Sequence, residues 1–133
     1  MKANYRLKSF SPLLIVALFL TSCASGSKSY KLGRQAELSR NFEEALQDYK
    51  AALDREPGNI EYRLKYEQVR YAAAYQHFQE GMRALEKNDV DKARSEFTRT
   101  LDLDPSHALA EQELARVNAI LASRSNKIGR AHV

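Results

Sequence analysis

Apolar residues recur at helical spacing from about residue 30 to residue 122. Phe42, Ala45, Leu46, Tyr49, Ala52 and Leu53 fall on one side of a 3.6-residue turn. Val90, Ala93, Phe97 and Leu101 repeat the pattern, and Leu114, Val117 and Leu121 continue it. Between these sets, residues 60–86 contain no Pro and a single Gly, Gly81. Two stripes run along that stretch: Tyr62, Tyr66, Val69 and Ala73, then Tyr71, Tyr75, Phe78, Met82 and Leu85. The spacing predicts one long helix that starts at Asn59 and runs into the next motif. Its N-terminal half is expected to project beyond the first hairpin or to fold back over it. No stretch alternates apolar and polar residues as a half-buried strand does, so the expected fold class is all-α.

Punctuation supports these boundaries. Asn41 with Glu44 fits a capping box, Pro57-Gly58-Asn59 fits a turn, and Asn88-Asp89 and Pro105-Ser106 can start the following helices. Helix formers such as Ala, Leu, Glu, Lys, Arg and Gln fill the interiors. The last helix is expected at about 106–122.

An internal repeat organises the elements. NFEEALQDYKAALDREPGN (41–59) aligns with DVDKARSEFTRTLDLDPSH (89–107), pairing Ala45 with Ala93, Tyr49 with Phe97, Ala52 with Thr100, Leu53 with Leu101 and Pro57 with Pro105. Gly33 and Gly81 each lie twelve residues before the matched Ala. This pattern resembles the tetratricopeptide repeat, a helix–turn–helix unit of about 34 residues. The resemblance implies repeats at about 26–59 and 74–107, with Gly and Ala where paired helices approach and the aromatic between hairpins. Ser29 and His77 depart from it where a large aromatic is favoured, and Glu80 where Leu is; Tyr30 and Phe78 are expected to fill those gaps. The matched alanines are 48 residues apart. The surplus over one repeat is about 14 residues, close to four helical turns, so the inserted turns keep the apolar faces in register. The expected architecture is therefore tetratricopeptide-like helical hairpins with one long helix and a C-terminal capping helix, over residues 30–122. By the same resemblance, Tyr30, Arg34, Tyr75, Phe78, Met82 and Glu86 are candidates for a peptide-binding groove.

The N-terminus follows different rules. Lys2, Arg6 and Lys8 precede an apolar run, Leu13–Leu20, which ends in small residues and the only cysteine, Cys23. That order predicts a secretory signal over residues 1–22; a membrane-spanning helix needs about 20 apolar residues. Leu20-Thr21-Ser22-Cys23 resembles the lipobox of bacterial lipoproteins. The resemblance implies signal-peptidase recognition through Leu20, Thr21 and Ser22, and lipid attachment at Cys23. Ala24, where enterobacterial lipoproteins retained at the inner membrane favour Asp, implies the periplasmic face of the outer membrane. Residues 23–29, small and polar after the cysteine, read as the lipidated residue and a flexible tether.

Charge and length narrow the function classes. The chain carries 21 Lys+Arg against 17 Asp+Glu, a net charge of +4. Residues 1–22 hold three of the bases and no acid, which leaves 18 against 17. Without Lys127 and Arg130 of the tail the balance is 16 against 17. No basic stripe marks a nucleic-acid surface. About a hundred residues beyond the signal can bury one modest core but not two. A lipidated Cys23 leaves no thiol for a disulfide.

Catalytic and metal constellations do not assemble, and no cofactor or enzymatic activity is expected. His107 follows a turn, where a solvated histidine is ordinary, and His132 lies in the tail. His77 and Glu80 form an i,i+3 pair that could share a metal; a structural role is the ordinary one, since metal sites need three or four ligands. Tyr62, Tyr66, Tyr71 and Tyr75 serve either core packing or a partner surface.

Residues 123–133 lose the apolar stripe and are expected to be disordered. Lys127–Val133 (KIGRAHV) can be written in codons that resemble the start of a common sequencing adapter, so the natural chain is expected to continue beyond about Asn126. The arrangement around PGNIEYRLKYEQVRYAAAYQHFQEGMRALEKNDVDKARSEFTRTLDLDPSHALAEQ resembles the N-terminal region of secretin-family lipoproteins of type II secretion and type IV pilus systems. It implies a protein or peptide partner, a membrane tether through the N-terminal lipid, and an oligomer if a secretin ring forms. Alternatives are a complete small lipoprotein assisting pilus or outer-membrane protein assembly, and the N-terminal repeat region of an enzyme. Coding sequence beyond Asn126 separates the three.

Overall fold

The computed structural model describes the backbone of residues 23–131 and the side chains of residues 26–127. Five helices follow in order: α1 (Cys23–Leu38), α2 (Phe42–Arg55), α3 (Ile60–Glu86), α4 (Val90–Leu103) and α5 (Ala108–Ala131). No strand occurs among the described residues. Each helix packs chiefly on its neighbour in sequence. The fold is all-α: α1–α2 forms one tetratricopeptide-like hairpin, the C-terminal half of α3 forms another with α4, and α5 caps the open end.

The two hairpin turns are near copies. Arg40 and Asn88, 48 residues apart, are the non-glycine residues with positive φ among the described residues, at 58° and 57°. In the first turn, the Arg40 N–H donates to the Glu37 carbonyl (3.0 Å) and the Asn41 N–H to that of Ala36 (2.9 Å). In the second, Asn88 donates to Leu85 (2.9 Å) and Asp89 to Ala84 (2.9 Å). These bonds satisfy carbonyls left open at a helix end, and a left-handed residue makes them possible. The side chains of Asn41, Asn59 and Asp89 then cap α2, α3 and α4, accepting from Glu44, from Glu61 and Tyr62, and from Lys92.

Small residues let each hairpin close. Ala45 and Ala93 are fully buried at the crossings. A Cβ on Gly33 would stand 2.9–3.1 Å from the Tyr49 ring, and one on Gly81 would stand 2.6–3.0 Å from that of Phe97. The aromatic rings therefore occupy the space that a side chain would need.

Two apolar clusters form where the sequence suggests one. The first joins Ala36, Ala45, Leu46 and Tyr49 to Val69, Ala73, Ala74 and Leu103, with Tyr30, Phe42 and Tyr66 packed against it. The second holds Ala84, Val90, Ala93, Phe97, Ala110 and Val117, flanked by residues including Phe78, Met82 and Leu121. Helix α3 contributes to both, so neither cluster has to enclose itself as a single globular core would. The N-terminal half of α3 lies back along the first hairpin: Tyr62 stacks on Tyr30 at 4.9 Å and Lys65 pairs with Glu37 at 3.2 Å.

The terminal expectations need correction. Residues 23–29 form the start of α1 rather than a flexible tether. Within this stretch Gly26 and Ser29 are buried. A Cβ on Gly26 would collide with the Glu56 carboxylate, and the Ser29 hydroxyl accepts from Arg55 at 2.8 Å. Small residues here permit close packing. At the other end, α5 continues through residues 123–131, where disorder was expected, and past the expected end at 122. Losing the apolar stripe removes packing but leaves backbone hydrogen bonding, and Arg124 Nη2 donates to Asn88 Oδ1 at 2.9 Å.

Gly81→Ala tests the close approach. Helix propensity favours Ala by about 1 kcal/mol, while overpacking costs about 1–3 kcal/mol, and the fully buried Phe97 ring has no room to retreat. The expected result is a Tm lowered by about 2–8 °C, whereas Gly58→Ala, which meets open space, leaves Tm within about 2 °C. A higher Tm for Gly81→Ala contradicts the packing.

Candidate interaction site

A polar cluster lies where α2, α3 and α4 meet. His77 sits mid-way along α3, Glu43 in the first turn of α2, and Glu96 and Arg99 on α4. The His77 ring places Nδ1 2.7 Å from Glu96 Oε2 and Nε2 2.9 Å from Glu43 Oε1. Arg99 donates to Glu43 through Nε (3.1 Å) and Nη2 (2.8 Å). A doubly protonated ring donates to both carboxylates, whereas either neutral tautomer donates to one. Arg99 holds the Glu43 carboxyl below its usual range, with His77 adding to the effect against the opposing influence of burial. The expected His77–Glu80 pair does not form; Glu80 instead accepts from Gln76 at 3.1 Å. Every member of the cluster is consumed by another, which makes it a junction between hairpins. Among the described residues no group of His, Cys, Asp and Glu is arranged to hold a metal.

The six groove candidates do not form one open surface. Tyr30 stacks on Tyr62, tilts against Tyr49 at 5.4 Å, and donates its hydroxyl to Glu61. The Glu61 carboxylate, with burial second, pushes the Tyr30 phenol up to about 12. Phe78 packs on Phe97 and His107 at 5.8 and 4.7 Å, and Met82 joins the second cluster. Arg34, Tyr75 and Glu86 are exposed. The cause is coverage: the N-terminal half of α3 lies over Tyr30, and α5 lies over Phe78 and Met82.

The tyrosines of α3 divide between the two roles the sequence allows. Tyr62 is buried and Tyr66 packs against the first cluster. Tyr71 and Tyr75 remain more than half exposed, at 52% and 59%, and Leu64 lies exposed one turn-pair earlier. Arg70 packs over the Tyr71 ring at 4.6 Å and donates to the Leu103 carbonyl at the end of α4.

His107 is another departure from expectation. It is half-buried, and its Nδ1 accepts from the Ala110 N–H at 3.2 Å, capping α5. Its neighbour Asp104 accepts from both the hydroxyl and the backbone N–H of Ser106, which hold its carboxyl below the usual range.

A notch that the sequence did not reveal lies between the α1–α2 turn and the middle of α3. Its lining includes Arg40, Phe42, Tyr75 and Arg83. The available signal was the mismatch at the repeated turn, Arg40 against Asn88. Leu20, Thr21, Ser22 and the whole of 1–22 lie outside the described residues, as does the side chain of Cys23, whose backbone begins α1. No described helix is long and apolar enough to cross a membrane.

No model of a known protein family matches this chain, and no curated protein matches it.

The depressed Glu43 carboxyl has a pH signature. A group whose pKa is lower folded than unfolded stabilises fully above its unfolded value, and that contribution disappears as pH falls through the folded one. Glu43→Gln should lower Tm by about 2–5 °C at about pH 5. The deficit should shrink as pH falls below the ordinary carboxylate range, where wild type progressively loses the same charge. A deficit that stays constant as pH falls contradicts the ion-pair account.

Proposed function

We propose that the chain is a lipid-anchored protein-interaction module. Cys23 carries the lipid at the periplasmic face of the outer membrane, and the helical array presents surfaces to a protein partner. Within this proposal the array is the N-terminal region of a secretin-like component of a secretion or pilus system, and ring formation downstream would make it oligomeric. The observation that carries the proposal is the order of segments. A basic start, an apolar run and the lipobox-like Leu20-Thr21-Ser22-Cys23 end directly at the array. The exposed residues Leu64, Tyr71 and Tyr75 on α3 supply the aromatic and apolar character common in partner surfaces.

The anchor gives the proposal its chemistry. The Cys23 thiol is the side chain in this segment able to form a thioether with a diacylglycerol group. A single acyl chain anchors only marginally, and further chains make attachment stable. A radiolabelled fatty acid fed to bacteria expressing the full chain should label wild type. Label should fall at least about tenfold in Cys23→Ser, and that protein should leave the membrane fraction or remain uncleaved. Equal incorporation in the two proteins rejects the lipoprotein proposal.

A further inference from the structure

The 48-residue repeat permits an internal comparison at the notch. In the second turn Asn88 accepts from Arg124 of α5. Arg124 occupies the position that Gln76 occupies in α3, and Asn88 the position of Arg40. The two notches are therefore related by the repeat but carry opposite chemistry. The second closes with a cation from the following helix on the turn's own amide. In the first, the turn supplies the cation and α3 supplies the neutral amide of Gln76.

The first notch is left charged and open. Its volume is about 470 Å3, and its lining takes Arg40 and Phe42 from the turn, and Tyr75, Gln76, Gln79 and Arg83 from α3. Neither Arg40 nor Arg83 takes part in an ion pair among the described residues. No carboxylate lines the notch. Glu43 pairs with His77 and Arg99 and Glu44 accepts from Asn41, while Glu80 accepts from the notch-lining Gln76 at its edge. Two guanidiniums thus flank an aromatic lining on a fold whose overall charge is balanced. Arg40 also sits at φ 58°, a conformation that Gly or Asn tolerates better than a long side chain. Backbone strain at such a position directs attention to its side chain.

We propose that this notch binds an extended acidic segment of a partner protein that carries an aromatic residue. Carboxylates pair with Arg40 and Arg83, the ring packs against Phe42 and Tyr75, and the amide of Gln79 takes backbone or side-chain hydrogen bonds. Guanidinium and carboxylate favour paired, directional contacts, and an aromatic anchor in a partly desolvated recess is a common source of binding energy. Of the groove candidates, Tyr75 alone lines this site. The proposal names a partner chemistry for the interaction module and rests on that part of the proposed function; it is independent of lipidation at Cys23.

The test titrates the purified full chain with a fluorescent, N-acetylated and C-amidated peptide of sequence DDFDD. KKFKK and DDADD serve as controls, with vesicles of phosphatidylglycerol or phosphatidylcholine as competitors. Saturable binding of DDFDD is expected, weakened at least about tenfold with DDADD and absent with KKFKK. Raising salt from about 50 to 500 mM should weaken it several-fold. Arg40→Gly is the decisive variant, because Gly suits the left-handed turn: Tm should hold or rise while affinity falls about tenfold. Arg83→Gln should weaken binding similarly. No saturable binding of DDFDD, equal binding of KKFKK, or unchanged affinity in Arg40→Gly each overturns the proposal. Preferential binding to phosphatidylglycerol vesicles that Arg40→Gly abolishes, without competition by DDFDD, also overturns it and assigns the notch to a lipid headgroup. Fatty-acid labelling at Cys23 reads the tether separately, so failure of either claim is distinguishable from failure of the other.

Discussion

Helix α3 has to serve two hairpins at once, and that requirement sets most of the structure. Its 27 residues span about 40 Å at 1.5 Å per residue. Val69, Ala73 and Ala74 enter the first apolar cluster and Ala84 enters the second. A helix can present the correct face to both only if the inserted length is close to a whole number of turns, and about 14 residues satisfies this. An insertion of two residues would rotate the second face by about 200° and turn Ala84 toward solvent.

The polar contacts follow from that shared helix. His77 is placed where the start of α2 and the middle of α4 both reach it, so Glu43, Glu96 and Arg99 converge there. Arg70 reaches the end of α4 from the same helix. These bonds lie in partly exposed positions and contribute less to stability than the apolar packing does. Their effect is to fix how the second hairpin sits against the first. The same geometry leaves α3 running past the α1–α2 turn, and the notch beside Arg40 is the space between them.

Much of this was legible in the sequence, and the misses share physical causes. Gly33 and Gly81 were readable, through the resemblance to the repeat, as points of close helix approach, but the packing of the Tyr49 and Phe97 rings directly on them was not. The caps at Asn41, Asn59 and Asp89 were readable because an Asn or Asp side chain solves a local problem within three residues. His77 was not, because its partners lie 34 residues before it and 19 after it. The groove candidates divide differently. Tyr30 and Phe78 lie on the helix faces that the repeat pattern indicates, and an elongated α3 and an added α5 leave them half-buried. Residues 24–29 read as a tether because small polar residues favour flexible chains in isolation; packing under α2 reverses that preference at Gly26 and Ser29. The notch was not read because its signal, Arg40 against Asn88 at the repeated turn, acquires meaning only once α3 is seen to run past that turn.

Amide hydrogen exchange along α3 is the most direct test of the shared-helix account. If one continuous helix carries both hairpins, amides from Val69 through Ala84 should exchange through a common opening, with similar opening free energies and no fast segment near His77. Denaturant should then unfold both clusters in one transition. Rapid exchange between Ala74 and Phe78, together with separate unfolding of the two clusters, would show two independent hairpins joined by a hinge and would contradict the account.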